Sequence, residues 1–323
     1  MNIQNNSVQA TVAVVLPCFN EAAAIGAVLE EFAQALPEAR VYVFDNNSTD
    51  GTAAVARAAG ACVVHVARKG KGNVVRRMFA DIEADVYVMV DGDATYDVSN
   101  IRQHINLLLA QRLDMVVGCR QDDGHDATYR RGHRWGNAAL TGFVSWLFTG
   151  RFNDMLSGYR VFSRRYVKSF PAMAREFEIE TELTVHALEL RMPTAEVDIH
   201  YRARPEGSVS KLSTYRDGWR ILKTISKLFI SERPLAFFSI ISLLLALCSV
   251  AFSIPLLLTF IETGLVPRFP TAILSLGLML SAMLSLVCGT VLHTVTIGRQ
   301  EAKHLAYLAT PAFELGKDGS NVP

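Results

Sequence analysis

The chain carries no excess charge of either sign. Among its 323 residues, 32 Lys and Arg face 31 Asp and Glu, a formal net charge of +1. A chain so balanced has no global field to gather nucleic acid, and none is expected as a partner. Cysteine is scarce: Cys18, Cys62, Cys119, Cys248 and Cys288 are odd in number and show no CxxC spacing. That excludes a disulfide framework and a cysteine metal site, and leaves free thiols in a reducing compartment as the expectation. His65, His125, His133, His186 and His200 have no metal-ligand spacing either, and His186 reads as a core histidine on an apolar helix. The opening MNIQNNSVQA lacks both a basic stretch and an apolar core, so no signal peptide is expected to move the large domain across a membrane. Neither an internal repeat nor a low-complexity tract is present.

Charge is also missing locally. No residue from Pro234 to Ile261 is charged, and none from Phe269 to Gly298 apart from the titratable His293. About 20 helical residues cross a hydrocarbon core roughly 30 Å thick, so both stretches are long enough to span. A soluble core helix would need a polar face, which LAFFSIISLLLALCSVAFSIPLLL does not have. Pro255 falls inside the first span and is expected to kink it. The short link Glu262–Arg268 makes the pair a hairpin. Lys223, Lys227 and Arg233 precede it and Arg299 and Lys303 follow it, so the positive-inside rule puts both ends in the cytoplasm.

The remainder alternates strands and helices. TVAVVLPC (11–18), VYVFD (41–45), CVVHV (62–66), VYVMV (86–90) and MVVGCR (115–120) read as buried strands. Helical spacing follows at FNEAAAIGAVLEEFAQAL, with an acid in its first turn, at TAAVARAAG, and from about Asn73 to Ile82. YRVFS and AEVDIHYRAR repeat the strand pattern weakly. This order predicts an α/β fold, a mainly parallel, doubly wound sheet covered on both faces. Residues 121–134 are long and polar and read as an active-site loop, and Trp135–Phe148 as an amphipathic helix. Tyr215–Ile230 alternates basic and apolar residues, predicting an interfacial helix with Arg216, Arg220, Lys223 and Lys227 towards anionic lipid.

Ligands of such sheets bind at the carboxyl ends of the strands, where strand order reverses. Four segments converge there: Leu16–Glu21, Asp45–Ser48, Arg68–Asn73 and Asp91-Gly92-Asp93. Each alone is weak, since an acid at a strand end is often a helix cap and GKG is often a turn. Together they suit a nucleotide-sugar. Asp45 can accept from the N–H groups of a base; glycines 70 and 72 can admit phosphate oxygens to the backbone, with Lys71 as a point charge; Asp91 and Asp93 can hold Mg²⁺ or Mn²⁺ against a departing diphosphate. A membrane hairpin on the same chain points to an acceptor in the bilayer.

At these residues the chain resembles a known family. PCFNEAAAI, VFDNNSTDGT, RKGKGNVVRR and VMVDGDATYD look like the motifs of the inverting family 2 glycosyltransferases with the GT-A (Rossmann-like) fold. NDMLSGYRVFSR, FEIETEL and RPEGSVSKL resemble the polyprenyl-phosphate branch, of the dolichyl-phosphate mannose synthase and undecaprenyl-phosphate glycosyltransferase type. The match covers about residues 11–215. It implies Pro17, Asn20, Glu21, Asp45, Asn47, Lys71, Asp91 and Gly92 around the nucleotide, and Asp91 and Asp93 at the metal. Arg120, Arg130, Arg131, Arg134, Arg204 and Lys211 would reach the acceptor phosphate, with Asp93, Arg120, Arg131 and Arg204 carrying catalysis. Ser157, Gly158 and Glu180 are candidate sugar contacts. Two departures stand out. Thr95 replaces a frequent glutamine, and Asp45-Asn46-Asn47-Ser48 replaces the usual DDGS.

The implied reaction is a single in-line displacement that moves one sugar from a nucleotide-sugar donor to a polyisoprenyl phosphate. UDP-sugar with undecaprenyl phosphate is the leading pair, and GDP-mannose with a dolichyl or other polyprenyl phosphate the second. A rival is transfer to a lipid hydroxyl, which would need Glu180 or Asp154 as a general base. A membrane-tethered nucleotide-sugar-binding scaffold is the non-enzyme alternative. The expected organisation is a transferase domain over 1–212, a juxtamembrane amphipathic helix over 213–233, a two-helix hairpin over 234–299 (about 235–260 and 271–297) and a cytoplasmic tail over 300–323. The protein is expected in the inner (plasma) membrane, and homo-oligomers are compatible with the exposed hairpin.

Overall fold

The computed structural model describes residues 10–121, 142, 146, 152–176, 178–202, 223–224 and 226–313. The chain divides into two compact units, residues 1–221 with 303–323, and residues 222–302.

The first unit holds a sheet of seven strands: β1 (Val12–Cys18), β2 (Arg40–Asp45), β3 (Cys62–His65), β4 (Val86–Met89), β5 (Met115–Gln121), β6 (Arg160–Ser163) and β7 (Thr194–His200). Their spatial order is β3-β2-β1-β4-β6-β5-β7. β2 and β4 flank β1 in parallel and β3 pairs parallel with β2. The apolar strands of the sequence pattern thus become a doubly covered parallel core, and strand order reverses between β1 and β4. β6 alone runs antiparallel, between β4 and β5, and β7 returns parallel to β5. This turnabout sets the start of β6, Arg160, opposite the end of β4, Met89. Residues 157–159 therefore arrive at the edge where β1, β2, β4 and β5 end.

Helices α1 (Ala22–Ala35), α2 (Thr52–Ala58), α3 (Lys71–Asp81), α4 (Ile101–Ala110), α5 (Arg164–Ser169) and α6 (Ile179–Glu189) cover the sheet. On α1, Ala24, Ile25, Val28, Leu29 and Phe32 are buried, an apolar stripe at helical spacing that packs on Val14, Leu16, Val86 and Val88. A second, aromatic layer joins Phe79, Tyr87, Phe162 and Phe170 edge-on, with Tyr166 stacked on Phe162. Glu21, expected in the first turn of α1, is its N-cap residue, and the turn itself holds no acid. The expected loop over 121–134 and helix over 135–148 lie outside the described residues except at Gln121, Gly142 and Trp146, and the latter two are helical.

The second unit contains α7 (Pro234–Thr263) and α8 (Phe269–Ala309), although α8 from Lys303 onward belongs to the first. Both helices are long and apolar enough to cross a membrane. α7 runs unbroken through Pro255 and closes at Gly264 in the left-handed region, φ 69°. The buried residues of α8 are Ser275, Ala282, Gly289 and Thr296, a small residue every seven positions. Such a period keeps one seam facing a partner helix, and small side chains let backbones approach. Ser249 Oγ donates to the Ser275 carbonyl (2.6 Å) and Ser242 Oγ to that of Ala282 (2.8 Å). A Cβ on Gly289 would stand 2.8 Å from Phe238 Cβ. Leu243, Leu247, Leu257, Leu276, Leu284 and Val295 point outward. Of the juxtamembrane segment expected over 213–233, residues 223–224 and 226–232 are helical, Arg233 is the N-cap residue of α7, and the remainder lies outside the described residues. The tail expected from residue 300 is helical as far as Ala309.

Candidate active site

The carboxyl edge of the sheet is built from loops that hold one another. Asn20, at φ 54°, donates its backbone N–H to Ser48 Oγ (2.9 Å) and accepts from Thr49 N at its side-chain oxygen (2.8 Å). Glu21 N donates to Thr52 Oγ1 (2.9 Å). These bonds join the turn after β1 to the turn after β2, with Pro17 opposite Phe44 in the sheet. Asp45 closes β2, buried, with Ser48 N donating to it (3.3 Å) and His65 Nδ1 3.6 Å away. The two asparagines that replace the usual motif tie the turn to the next loop. Asn46 donates to the carbonyls of Val66 and Arg68 and accepts from Gly70 N, and Asn47 donates to those of Val66 and Ala67.

Gly70 and Gly72 have a different local cause from the one their spacing suggests. Residues 172–175 cross directly over them. A Cβ on Gly70 would stand 2.1 Å from the Arg175 carbonyl oxygen, and one on Gly72 2.3 Å from that of Ala174. Gly70 is also at φ 117°, a backbone conformation that side chains rarely adopt. Arg76 donates to the carbonyls of Ala172 and Ala174, and Glu182 accepts from Met173 N and Ala174 N, so this strap is pinned from both sides. The glycines admit protein backbone there.

Lys71, first residue of α3, carries its ammonium into the centre of the site. Nζ is 2.5 Å from Asp91 Oδ1 and 2.5 Å from Glu180 Oε1. Burial alone would lower the Lys71 pKa, but the Asp91 and Glu180 carboxylates outweigh it and hold the ammonium well above its usual range. Glu180 is 5% exposed, and its Oε2 has no partner among the described residues. Asp91 is packed against Gly158, where a Cβ would meet Asp91 Oδ2 at 2.2 Å. Gly92 lies over Cys18, whose thiol is pushed up by burial and then by Glu21, Asp91, Asp45 and Asp93. Asp93, 5% exposed, accepts from Thr95 Oγ1 (2.6 Å). Thr95, standing where the resemblance led one to expect glutamine, is thus a buried hydrogen-bond donor to Asp93.

The far side of the edge holds Arg120 and Asp154. Arg120 Nε and Nη2 donate to Asp154 Oδ2 and Oδ1 at 2.6 and 2.7 Å, a bidentate pair whose side chains are 13% and 9% exposed. The guanidinium also lies over Tyr201. Although burial would raise the Asp154 pKa, hydrogen bonds and charge from Arg120 hold it below the usual carboxylate range. Ser157 is fully buried, its Oγ accepting from Tyr159 N, and Gly158 N donates to the Tyr96 hydroxyl (2.8 Å). Arg130, Arg131, Arg134, Arg204 and Lys211 lie outside the described residues.

One important residue was not evident in the sequence. Arg160 is fully buried and donates to the carbonyls of Ser157, Met155 and Glu180. It ties the 155–158 loop to the first turn of α6, and so fixes Gly158 and Glu180 together beside Asp91. Its only sequence signal is an arginine at the first position of the short strand RVFS. His186, expected as a core histidine, is buried with Nε2 on Ser169 Oγ (3.1 Å), while Nδ1 has no partner among the described residues.

The donor set suits a hard divalent ion shared with a substrate. Asp91 and Asp93 supply carboxylate oxygens from one turn, and no group of three or more His, Cys, Asp or Glu able to hold a metal occurs among the described residues. Mg²⁺ in particular is often held by one or two carboxylates plus substrate phosphates, so the residues present fit that use.

Comparison with known proteins agrees with this geometry. The model of glycosyl transferase family 2 matches residues 13–169. Glycosyltransferase AglJ of Haloferax volcanii is 33% identical over 228 residues, 70% of this chain and 75% of that protein. A dolichyl-phosphate hexose transferase of the same species is 29% identical over 221 residues, 68% of this chain and 95% of its own. An uncharacterized protein of Shigella flexneri is 60% identical over 161 residues, 50% of this chain and 99% of its own. Glucosyl-3-phosphoglycerate synthase from Mycobacterium tuberculosis, crystallised with Mn²⁺, uridine diphosphate and glucosyl-3-phosphoglycerate, superposes with a TM-score of 0.54 at 25% identity, covering 68% of this chain and 79% of that one. The chain therefore belongs to glycosyl transferase family 2, a hexosyltransferase with the GT-A fold.

Proposed function

We propose that the protein transfers a single hexose from a nucleotide-sugar, UDP-linked in the first instance, to a polyisoprenyl phosphate such as undecaprenyl phosphate, with inversion at the anomeric carbon. The observation that carries this reading is the state of the two carboxylates a hydroxyl acceptor would require. Both oxygens of Asp154 are held by Arg120, and Glu180 Oε1 is held by Lys71, so each carboxylate faces a cation where a general base would face the acceptor hydroxyl. A lipid phosphate needs no such base, because it is already an anionic nucleophile. Two helices able to cross a membrane, and a relative named for a dolichyl-phosphate acceptor, support the same choice.

In this reading Asp45, Asn20 and Glu21 border the nucleotide, with Pro17, Asn47 and Gly92 shaping its pocket. Lys71 and Asp91 face the diphosphate, and Asp91 and Asp93 would hold Mg²⁺ or Mn²⁺. When bound there, the ion neutralises charge that develops on the departing nucleoside diphosphate. Ser157, Gly158 and Glu180 border the sugar. Arg120 with Arg130, Arg131, Arg134, Arg204 and Lys211 would orient the acceptor phosphate by charge-assisted hydrogen bonds. One acceptor oxygen bonds to the anomeric carbon as its bond to the diphosphate breaks, and the nucleoside diphosphate leaves with that electron pair. The basic residues flanking the hairpin support a transferase domain on the cytoplasmic face of the inner membrane.

The test is transfer by the detergent-purified full chain, using radiolabelled UDP- and GDP-sugars offered undecaprenyl phosphate or diacylglycerol, with Mg²⁺, Mn²⁺ or EDTA. Metal-dependent labelling of the polyprenyl phosphate is expected, and the active donor names the nucleotide. Labelling of diacylglycerol alone would overturn the acceptor.

A further inference from the structure

Asp91 already has a cation. The Lys71 ammonium lies between Asp91 and Glu180 at 2.5 Å from an oxygen of each, with the lysine side chain 10% exposed. A carboxylate in that position takes up a divalent ion only by releasing the ammonium, since two cations on the same oxygens repel strongly where solvent is scarce. Released into a buried space with no other anion, the ammonium would be stranded at high cost. Glu180 removes that difficulty. Its Oε1 already holds Lys71 Nζ, and Oε2 is buried, has no partner among the described residues, and so can accept from the same ammonium.

We propose that Glu180 is a positioning residue that draws Lys71 away from Asp91 and thereby sets the affinity of the Asp91–Asp93 pair for divalent cation and nucleoside diphosphate. The inference rests on the reading of those two aspartates as the cation and diphosphate site. Both partners of the exchange are fixed at their backbones. Gly70 and Gly72 hold the start of α3 under the strap, and Glu180 sits in the first turn of α6, where Arg160 and Thr184 both donate to its carbonyl oxygen. Only the lysine side chain has to move.

The experiment is a double-mutant cycle read by binding. Free Mn²⁺ is followed by electron paramagnetic resonance in titrations of the full-length protein in detergent, with and without UDP. E180Q leaves Lys71 with Asp91 as its only carboxylate partner, and Mn²⁺ binding is expected to weaken about tenfold or more, the usual scale for groups that act behind a metal ligand. K71M removes the competitor and, in the titration without UDP, is expected to bind Mn²⁺ at least as tightly as wild type. K71M/E180Q is expected to recover most of the affinity lost in E180Q. A double variant as weak as E180Q, an E180Q indistinguishable from wild type, or a K71M that binds Mn²⁺ more weakly than wild type without UDP would each overturn the proposal. K71M keeps the test decisive if E180Q does not fold. Wild-type protein that binds no Mn²⁺ even with UDP would remove the cation–diphosphate reading itself, a different outcome from wild-type binding that E180Q leaves unchanged.

Discussion

Arg120 and Asp154 hold each other in a buried bidentate pair, and neither is tolerable alone. Removing one partner of such a pair leaves an uncompensated charge, at about 3–5 kcal/mol. R120A and D154A should each lower unfolding stability by about 3 kcal/mol, and the double variant by clearly less than the sum. Chemical denaturation checks this; additive losses would mean that the two side chains are energetically independent. His186 gives a pH signature. Burial first, then the Lys303 and His304 charges, lower its pKa from 6.5 to about 3. Between those values the unfolded chain binds a proton that the folded chain refuses, so stability falls as pH drops from about 6.5 towards 3. H186Q should flatten the decline in thermal midpoint across that window, and an unchanged slope would contradict the assignment. At this scale the sequence was legible where chemistry sits at strand ends: Asp45, Asp91 and Asp93 are recognisable from position alone. Partners 20 or 109 residues away, as Asp91 and Glu180 are from Lys71, are not. Nothing near Lys71 announces that Glu180 shares it with Asp91, and nothing near Arg160 announces that three carbonyls from two segments, the 155–158 loop and the first turn of α6, surround it.

The elements followed their hydrophobic patterns closely where those patterns were long. β1, β2, β4 and β5 lie within a residue or so of their apolar runs, because a strand buried on both faces must be apolar throughout. The direction of β6 was not legible, since four residues look alike read either way, and its direction depends on the chain between β5 and Arg160. The strap over α3 was hidden for a related reason. Its glycines also fit a phosphate loop, and only the placement of 172–175 reveals that backbone occupies the space. G72A should therefore destabilise the domain by about 1–3 kcal/mol through overpacking against the Ala174 carbonyl. A neutral G72A in denaturant unfolding would show that the strap can withdraw. In the hairpin, the uncharged apolar runs predict two spans but not their packing. Where no residue is charged, small size encodes the seam, and Ser275, Ala282, Gly289 and Thr296 are its small positions. G289L forces a side chain onto Phe238 and Leu235. It should lower the hairpin's thermal midpoint in detergent, whereas a solvent-directed L284A should leave it nearly unchanged.

On the scale of the whole molecule, one chain joins a family 2 glycosyltransferase sheet to two helices long and apolar enough to cross a bilayer, and that union supports the proposal of an acceptor drawn from lipid. Two apolar runs and four strand-end motifs made both halves legible. Sugar identity and acceptor contacts were not, because they depend on segments whose polar, irregular sequence fixes no register. In the proposed reaction a lipid phosphate oxygen attacks the anomeric carbon. Phosphorus NMR of undecaprenyl phosphate, incubated with the purified protein, UDP-hexose and Mn²⁺, tests it most directly. The phosphomonoester resonance should convert to a phosphodiester, with release of UDP, and should persist unchanged with D93A. Consumption of UDP-hexose with the monoester resonance intact would contradict the claim.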